Sequence, residues 1–383
     1  MPVLTAETVD RIVGFDGQGL PVTSIYAGVD ADPSLREDLQ VRVSSMLDQI
    51  RPLAKNGSAS HEVRLSVRAD IQRVRESLAE ERWRPGAVAI FACSGRGLYA
   101  EVPLPRPVRD QVMVDASAYV RPLLSVLDEL HRACVVVVDK VTARLWEVYQ
   151  GEMREVGTVL DPALRKPNYA AGQAEERVRN KAGELVKRHY RNVVSAVEKV
   201  FWADGCDLLI VGGHGHEVPV FAEFLPPELR SRLAGTFSAD PAATGLAEIR
   251  RGADLILDDY DRARERQLAA EVFGTLAAGG LAVAGLADCL WAGSVAAAST
   301  LLVLDGAASV PGVVCDASRW LALTGGTCPV CGQPTRRSRD VLGDLAEAVR
   351  AEGGAIRRIN DDDRLREHTV AARLRFRLPG GPA

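Results

Sequence analysis

The chain has 383 residues, a length that allows two to four domains of ordinary size. Apolar residues make up 47% and charged residues 26%, which is typical of a folded globular protein and excludes a disordered chain. The 47 basic and 51 acidic residues give a net charge of −4, which excludes a globally basic coat protein but allows a local basic patch.

The chain shows no targeting or membrane signal. The first twelve residues contain Glu7, Asp10 and Arg11 and so lack the apolar core of a signal peptide. The longest apolar stretch, near residues 277–287, is shorter than the about 20 residues that a membrane helix needs. We therefore expect a cytoplasmic protein. Four cysteines stand alone in apolar runs and are expected to be buried reduced thiols: Cys93, Cys134, Cys206 and Cys289.

The first section of the chain runs to about residue 125. Apolar runs predict strands over residues 22–29, 86–93 and 98–104. Helical periodicity predicts helices over residues 34–51, 61–81 and 115–130. This section therefore mixes strands and helices.

The second section contains the longest predicted helix. Strands are predicted over residues 133–139, 143–149 and 206–213. A proline-containing loop, residues 161–172, leads into a helix over 173–202, in which apolar residues recur at helical spacing. Further helices are predicted over 218–224, over 227–233 and from 242 onward.

The third section repeats the alternation of strands and helices. Helices are predicted over residues 284–291 and 341–352, and strands over 298–305, 355–359 and 370–378. Such alternation in every section predicts an α/β protein. We expect three α/β domains, at residues 1–125, 126–270 and 271–383.

A basic window surrounds the start of the long predicted helix. Between residues 165 and 191 three acidic residues oppose eight basic ones, which are Arg165, Lys166, Arg177, Arg179, Lys181, Lys187, Arg188 and Arg191. A local charge of +5 in a chain of net charge −4 suits contacts with nucleic-acid phosphates. A solvated helix face is the alternative, and it accounts for most charge runs.

The tip of the loop, Ala171-Gly172-Gln173, resembles the Gly-Gly-Gln tip of the archaeo-eukaryotic class I release factors, a family that includes Pelota-like proteins. In that family the tip is likewise followed by a small residue, an arginine and a long basic helix. The similarity to the bacterial branch of the family, and to its family 10 in particular, extends in order over residues 135–148, 207–213, 225–233, 328–332 and 371–376. The resemblance implies the fold of those factors, with a long helix after the Gly-Gln loop and a partial zinc ribbon in the C-terminal domain.

The resemblance assigns catalysis to the tip. In the family the tip enters the ribosomal peptidyl-transferase centre, where the glutamine N–H stabilises the oxyanion formed as water attacks peptidyl-tRNA. Gln173 is then the catalytic residue and Gly172 the residue that shapes the loop. The eight basic residues would hold rRNA and tRNA phosphates. The third domain would dock on the ribosome or on a translational GTPase.

Two departures from the family modify this expectation. Ala171 replaces the first glycine, and a Cβ there costs about 1–2 kcal/mol if the position needs a positive φ. The Asn-Ile-Lys-Ser element that reads stop codons is missing from residues 1–125, which carry 15 basic and 16 acidic residues. We therefore expect a role that is independent of the codon.

The remaining cysteines form a group that resembles an incomplete zinc site. Cys328-Pro-Val-Cys331-Gly332 has the spacing of a zinc knuckle, in which one turn directs both thiolates at the metal. Cys315 supplies a third thiol, but serine stands at residue 318, where a second knuckle needs cysteine. Two alternatives remain open: a structural zinc ion with an improvised fourth ligand such as Asp316, or a ribbon held by packing alone. No organic cofactor is expected.

Three functions remain open. The first is a ribosome-rescue factor that occupies the A site and hydrolyses peptidyl-tRNA. The second is a non-catalytic hibernation factor that blocks the same site, which Ala171 favours. The third is an RNA-binding protein that acts away from the ribosome. The Gly-Gly-His-Gly-His run at residues 212–216 lacks the Walker lysine and the spaced glycines of a dinucleotide site, so we interpret it as a turn after a strand.

Overall fold

A computed structural model describes residues 4–30, 32, 37–78, 83, 85–128, 130–161 and 175–380, and it divides the chain into two compact units. The first unit comprises Met1–Glu129 with Arg264–Ala383, and the second is Leu130–Ala263. The first unit combines three described sheets with helices, and the second combines one described sheet with helices. This confirms the predicted α/β class. The prediction of three domains stays a prediction.

The N-terminal part of the first unit is an antiparallel sheet with helices. Its elements are α1 (Ala6–Val13), β1 (Val22–Val29), α2 (Glu37–Ile50), α3 (His61–Leu78), β2 (Gly86–Cys93), β3 (Leu98–Leu104), β4 (Gln111–Asp115) and α4 (Arg121–Asp128). The strand order is β3-β2-β1-β4. The two central strands are almost entirely buried, and α2 and α3 contribute apolar side chains such as Leu47 and Val74 to the same core.

The second unit is built on a five-stranded mixed sheet. Its elements are β5 (Ala133–Val138), β6 (Thr142–Tyr149), β7 (Glu152–Leu160), α5 (Glu175–Ala203), β8 (Leu208–Gly213), α6 (Val218–Ala222), α7 (Pro227–Arg230), β9 (Leu233–Ser238) and the first part of α8 (Leu246–Ala277). The strand order is β7-β6-β5-β8-β9. Strands β5, β8 and β9 are parallel, whereas β6 and β7 are antiparallel to their neighbours.

Helices cover both faces of this sheet, which explains why β5 and β8 are continuous apolar runs. On one face α5 packs through buried side chains such as Val193 and Phe201, together with Phe221 of α6. On the other face α8 contributes Ile249 and Ala253. The sheet is thereby a rigid support for the segments that leave its edges.

The C-terminal part of the first unit contains two small sheets. Its elements are β10 (Ala282–Ala284), α9 (Leu286–Ser294), β11 (Ala298–Leu304), β12 (Gly312–Val314), β13 (Leu321–Ala322), β14 (Arg336–Ser338), α10 (Val341–Ala351), β15 (Ala355–Ile359), α11 (Asp363–His368) and β16 (Val370–Leu374). The strand orders are β10-β16-β11-β15 and β13-β12-β14. The three-stranded sheet carries the cysteine group on its connections.

Some sequence predictions were wrong in detail. The helix predicted over residues 115–130 begins only at Arg121, because Asp115 ends strand β4. The helix predicted over 227–233 ends at Arg230, and strand β9 begins at Leu233. The helix predicted from residue 242 onward begins at Leu246 and ends at Ala277. Among the described helices, none combines the length and apolar character that crossing a bilayer requires.

Candidate functional site

The candidate site lies at one edge of the five-stranded sheet. Because β5, β8 and β9 are parallel, their carboxyl ends, Val138, Gly213 and Ser238, lie at the same edge. In open α/β sheets this edge is where ligand-binding segments usually lie. Gly213 ends β8, so the glycine-histidine run does follow a strand, as the sequence predicts.

Strand β7 ends at this edge as well. A tight turn follows β5, in which the Asp139 carboxylate accepts the N–H groups of Val141 and Thr142 at 2.7 and 2.6 Å. Thr142 opens β6 and pairs with Leu160, the last residue of β7. The Asp161 N–H then donates to the Val141 carbonyl at 3.0 Å. The described chain before the predicted tip therefore ends, at Asp161, at the carboxyl edge of the sheet.

Helix α5 returns the chain from that segment. Residues from His189 onward are buried against the sheet at regular helical intervals, whereas residues 183–188 are exposed or half-buried. At 1.5 Å per residue, the helix from Glu175 to Lys187 is about 18 Å long. That part precedes the stretch that is buried against the sheet.

An ion pair joins the helix to the end of β7. The Arg188 guanidinium lies 2.8 Å from the Asp161 carboxylate, whose side chain is only 9% exposed. The next residue, His189, is fully buried, and burial lowers the pKa of its imidazole. His189 is therefore neutral at pH 7. The Asp161–Arg188 pair therefore joins the end of β7 to α5 at the sheet edge.

Most of the predicted site residues lie outside the described residues. Gly172, Gln173, Arg165 and Lys166 lie outside them, and the same holds for the side chains of Arg177, Arg179 and Lys181 on α5. Lys187, Arg188 and Arg191 are described and exposed. Lys187 pairs with Glu184 of its own helix at 2.8 Å.

Sequence reasoning missed several polar groups at this edge. Lys140 pairs at 3.1 Å with Glu217, whose side chain is 7% exposed, and His216 lies 3.5 Å from the same carboxylate. His214 stacks on His216 and lies 3.9 Å from Asp240. Strand order is the signal that could have identified these polar groups, because residues that follow parallel neighbouring strands lie close together at one edge of the sheet. Charges of both signs are thus fixed beside the base of the tip segment.

The opposite edge of the sheet carries a charged histidine. His131 precedes β5 and places Nδ1 3.0 Å from Asp207 and Nε2 3.1 Å from Asp261. The ring also makes an edge contact with Tyr260. Burial alone would lower the pKa of His131, but the hydrogen bonds to Asp207 and Asp261 raise it to about 9. This cluster ties the start of β5 to α8, and nothing in its geometry suggests catalysis.

The three clustered cysteines meet in the first unit. The Sγ atoms of Cys315, Cys328 and Cys331 all lie within 4.8 Å of one another, and Cys315 and Cys331 are 3.4 Å apart. Cys315 and Cys328 are 1% exposed, whereas Cys331 is exposed. Hydrogen bonding by Ser318 lowers the pKa of the Cys315 thiol to about 6, so this group is a thiolate at neutral pH.

Two turns of the same form carry these residues. In the first, the Arg319 N–H donates to the Cys315 carbonyl at 2.7 Å, and in the second the Gly332 N–H donates to the Cys328 carbonyl at 2.9 Å. The last residue of each turn has a positive φ, +58° at Arg319 and +73° at Gly332. Ser318 therefore occupies, in the first turn, the position that Cys331 occupies in the second.

The group fits a tetrahedral metal ion bound by sulfur. With Zn–S bonds of about 2.3 Å, the sulfurs of a tetrahedral site are about 3.8 Å apart, close to the observed separations. The Asp316 carboxylate, expected as an improvised ligand, instead pairs with Arg336 at 2.9 Å. The three cysteines can therefore hold a metal ion, and Asp316 is engaged elsewhere.

Comparison with known proteins gives one family match. Residues 119–254 match the model of bacterial archaeo-eukaryotic release factor family 10, a stretch that includes the tip segment, α5 and the whole of the five-stranded sheet. The match confirms the resemblance stated from the sequence over residues 119–254. No curated protein matches the chain.

Solved structures give weaker similarities. The crystal structure of the archaeal translation termination factor aRF1 is 16% identical and has a TM-score of 0.27, with 97% of each chain covered. Archaeoglobus fulgidus Pelota is 16% identical and has a TM-score of 0.37, with 76% of this chain and 80% of that chain covered. S. cerevisiae Dom34 is 13% identical and has a TM-score of 0.42, with 74% of each chain covered. The function proposed below depends on the family match and not on these structures.

Proposed function

From the match of residues 119–254 to release factor family 10, we propose that this chain acts on the ribosome as a release-factor-like translation factor. It occupies the A site without reading a codon and hydrolyses peptidyl-tRNA on ribosomes that need rescue. The family match carries the proposal because the matched stretch includes the Ala171-Gly172-Gln173 tip.

The sheet edge supports this function by giving the tip a rigid base. Asp161 is fixed by its backbone bond to Val141 and by the Arg188 ion pair, and α5 is fixed by the buried face that begins at His189. Fixing Asp161 and the buried part of α5 lowers the entropy that the chain between them loses on binding, which is the benefit of preorganisation. This supports insertion of the tip into a confined RNA pocket.

Within the proposed reaction, Gln173 is the catalytic residue. Its backbone N–H would donate to the oxyanion that develops when water attacks the peptidyl-tRNA ester, and its side chain would place that water. Gly172 would allow the backbone to approach rRNA closely.

The basic residues would hold the surrounding RNA by phosphate contacts. Arg191 and Lys187 are the exposed described members of this set. Arg188 already neutralises Asp161, so its contribution would combine anchoring of the loop with attraction of phosphate. The other members proposed for phosphate contacts are Arg165, Lys166, Arg177, Arg179 and Lys181.

A second candidate function is favoured by Ala171. A non-catalytic factor would use the same surface to block the A site of idle ribosomes. Replacing Ala171 by glycine separates the two candidates. If the Cβ hinders catalysis, Ala171→Gly should increase peptide release, whereas a purely blocking factor should release nothing in either form.

The decisive experiment measures release of labelled peptide from purified stalled ribosome–nascent-chain complexes. Wild type and Gln173→Ala are compared on complexes with a stop codon, a sense codon or no codon in the A site. We expect equal release by wild type on all three and loss of release in the variant. Gln267→Ala, at an exposed position on α8, is the matched control and should behave as wild type.

Binding is measured by co-sedimentation in the same samples. Binding without release would overturn the hydrolase and leave the blocking factor. Absence of binding to ribosomes in every state would overturn both and leave an RNA-binding protein that acts elsewhere.

We also propose that Cys315, Cys328 and Cys331 hold a structural zinc ion. The support is the meeting of three sulfurs on two knuckle-like turns. Zinc would stabilise the connections of the three-stranded sheet, which buries few apolar side chains of its own.

A further inference from the structure

The proposed zinc site leaves its fourth coordination position to be assigned. A structural zinc ion takes four ligands, and the chain supplies three thiols. Among the described residues, no further histidine, cysteine, aspartate or glutamate joins the group. Within the described part of the chain, the remaining candidates for the fourth ligand are a side chain of another type and solvent.

Ser318 is the side chain in position. Its Oγ lies 3.1 Å from the Cys328 Sγ. In a tetrahedral site with Zn–S of about 2.3 Å and Zn–O of about 2.1 Å, oxygen and sulfur are about 3.6 Å apart. A small outward movement of the hydroxyl therefore places it on the metal.

The turn geometry supports the same assignment. Ser318 and Cys331 are both the fourth residue of their turns, and both turns close with an N–H bond to the carbonyl of the leading cysteine. In each turn the residue after this fourth position has a positive φ; it is Arg319 in the first turn and Gly332 in the second. A non-glycine residue in that conformation is uncommon, so the first turn keeps the form of a ligand-bearing knuckle at some cost.

We propose that Ser318 Oγ is the fourth ligand of this site, which makes it a three-sulfur, one-oxygen centre. The inference depends on the proposed zinc ion. A neutral hydroxyl leaves the site with a charge of −1 instead of the −2 of a four-thiolate site. It is also a weaker donor than thiolate, so the ion is held less tightly than in a complete ribbon.

The test uses the full-length protein with Ser318→Ala and Ser318→Cys, and Asp316→Asn as the matched control. Zinc content is measured on the purified protein, and affinity by competition with a chromophoric chelator. Cobalt(II) is then substituted, since its absorption spectrum distinguishes three sulfur ligands from four. Circular dichroism shows whether each variant is folded.

We expect one zinc ion per wild-type chain and a three-sulfur cobalt spectrum. Ser318→Ala should weaken zinc binding by about tenfold or more, a loss of the size found when groups supporting a metal site are removed. Ser318→Cys should bind more tightly and give a four-sulfur spectrum. Asp316→Asn should match wild type in both measurements.

Two results would overturn the proposal in different ways. If the wild-type protein binds no zinc, the proposed metal site itself is wrong. If Ser318→Ala still binds one zinc ion, with unchanged affinity and an unchanged cobalt spectrum, the metal site is correct but Ser318 is not its ligand. The fourth position then belongs to water. If Ser318→Ala does not fold, a Ser318→Cys protein that keeps the wild-type spectrum contradicts the assignment independently.

Discussion

His131 is a single residue whose charge links stability to pH. Its imidazole lies between Asp207 and Asp261, and the hydrogen bonds to both raise its pKa to about 9 from an ordinary value of 6.5. The folded state therefore binds a proton more tightly than the unfolded state. The resulting stabilisation is complete below pH 6.5 and is lost as the pH rises through 9.

The predicted consequence is a decline in the unfolding free energy between about pH 6.5 and 9. The shift corresponds to up to about 3 kcal/mol from this one residue. Urea denaturation at half-unit pH steps measures it. His131→Gln cannot gain the charge and should show a flatter profile over the same range. A wild-type profile as flat as that of the variant would contradict the assignment.

At the scale of elements, the junction of β7 with α5 depends on Asp161 and Arg188. Removing Arg188 leaves a carboxylate that is 9% exposed without this partner. We expect Arg188→Ala to lower the unfolding free energy by about 1 kcal/mol. The measurement is equilibrium denaturation in urea.

Lys187→Ala is the control for that prediction. Lys187 and Glu184 are more than half exposed, and exposed pairs contribute little. The control should remain within about 0.5 kcal/mol of wild type. Equal losses in both variants would show that Asp161 does not anchor the helix.

The sequence predicts four central strands well, and it also gives the edge strands β3 and β15 with their observed bounds. Central strands β1, β2, β5 and β8 are buried on both faces, so their residues form continuous apolar runs. The predicted bounds of β1 and β2 are confirmed residue for residue, and β5 differs by one residue.

Strands β4, β7 and β9, which lie at the edges of their sheets, were not predicted, and neither were the short strands β10, β12, β13 and β14. Strand β7 is exposed at Glu152, Arg154 and Glu155, and pairs with a neighbour on one side only. Edge strands need charge and exposure to prevent association, so their sequences lose the apolar signal.

The candidate site also contains features that the sequence predicts and features that it does not. The tip and the three cysteines carry motif spacing and are visible in the sequence. The Asp161–Arg188 and Lys140–Glu217 pairs join residues 27 and 77 positions apart, so only the strand order brings them together. The engagement of Asp316 by Arg336 is equally invisible without the three-stranded sheet.

For the whole molecule, the charge distribution predicts strongly salt-dependent ribosome binding. The net charge is −4, yet residues 165–191 carry +5, so we expect that window to supply the attraction to RNA that the proposed function requires. The logarithm of the binding constant should fall linearly with the logarithm of salt concentration. We expect Arg191→Ala to reduce that slope by about 1.

The control for the salt prediction is Arg251→Ala, on α8. It removes the same charge from an exposed site outside the basic window, so the slope should be unchanged. Co-sedimentation with ribosomes over a series of potassium concentrations measures both variants. An equal loss of slope in both would show that net charge governs binding instead of the window.

Removal of metal should affect one unit of the molecule and spare the other. The cysteine group lies in the first unit, on the connections of β12, β13 and β14. We expect a chelator to accelerate amide hydrogen exchange in residues 312–338 while leaving β5 and β8 protected. Exchange that is unchanged in residues 312–338, or accelerated equally in β5, would contradict a local structural role for the metal.

Helix α5 and the segment before it also determine how the protein reacts with amine-directed reagents. The chain has six lysines, and four of them, Lys166, Lys181, Lys187 and Lys199, lie in that segment or on that helix. Beyond residue 199 every basic side chain that keeps its charge through neutral pH is an arginine. Amine-reactive cross-linkers therefore cannot attach to the last 184 residues. Cross-links obtained with them on a ribosomal complex would map mainly the surroundings of α5.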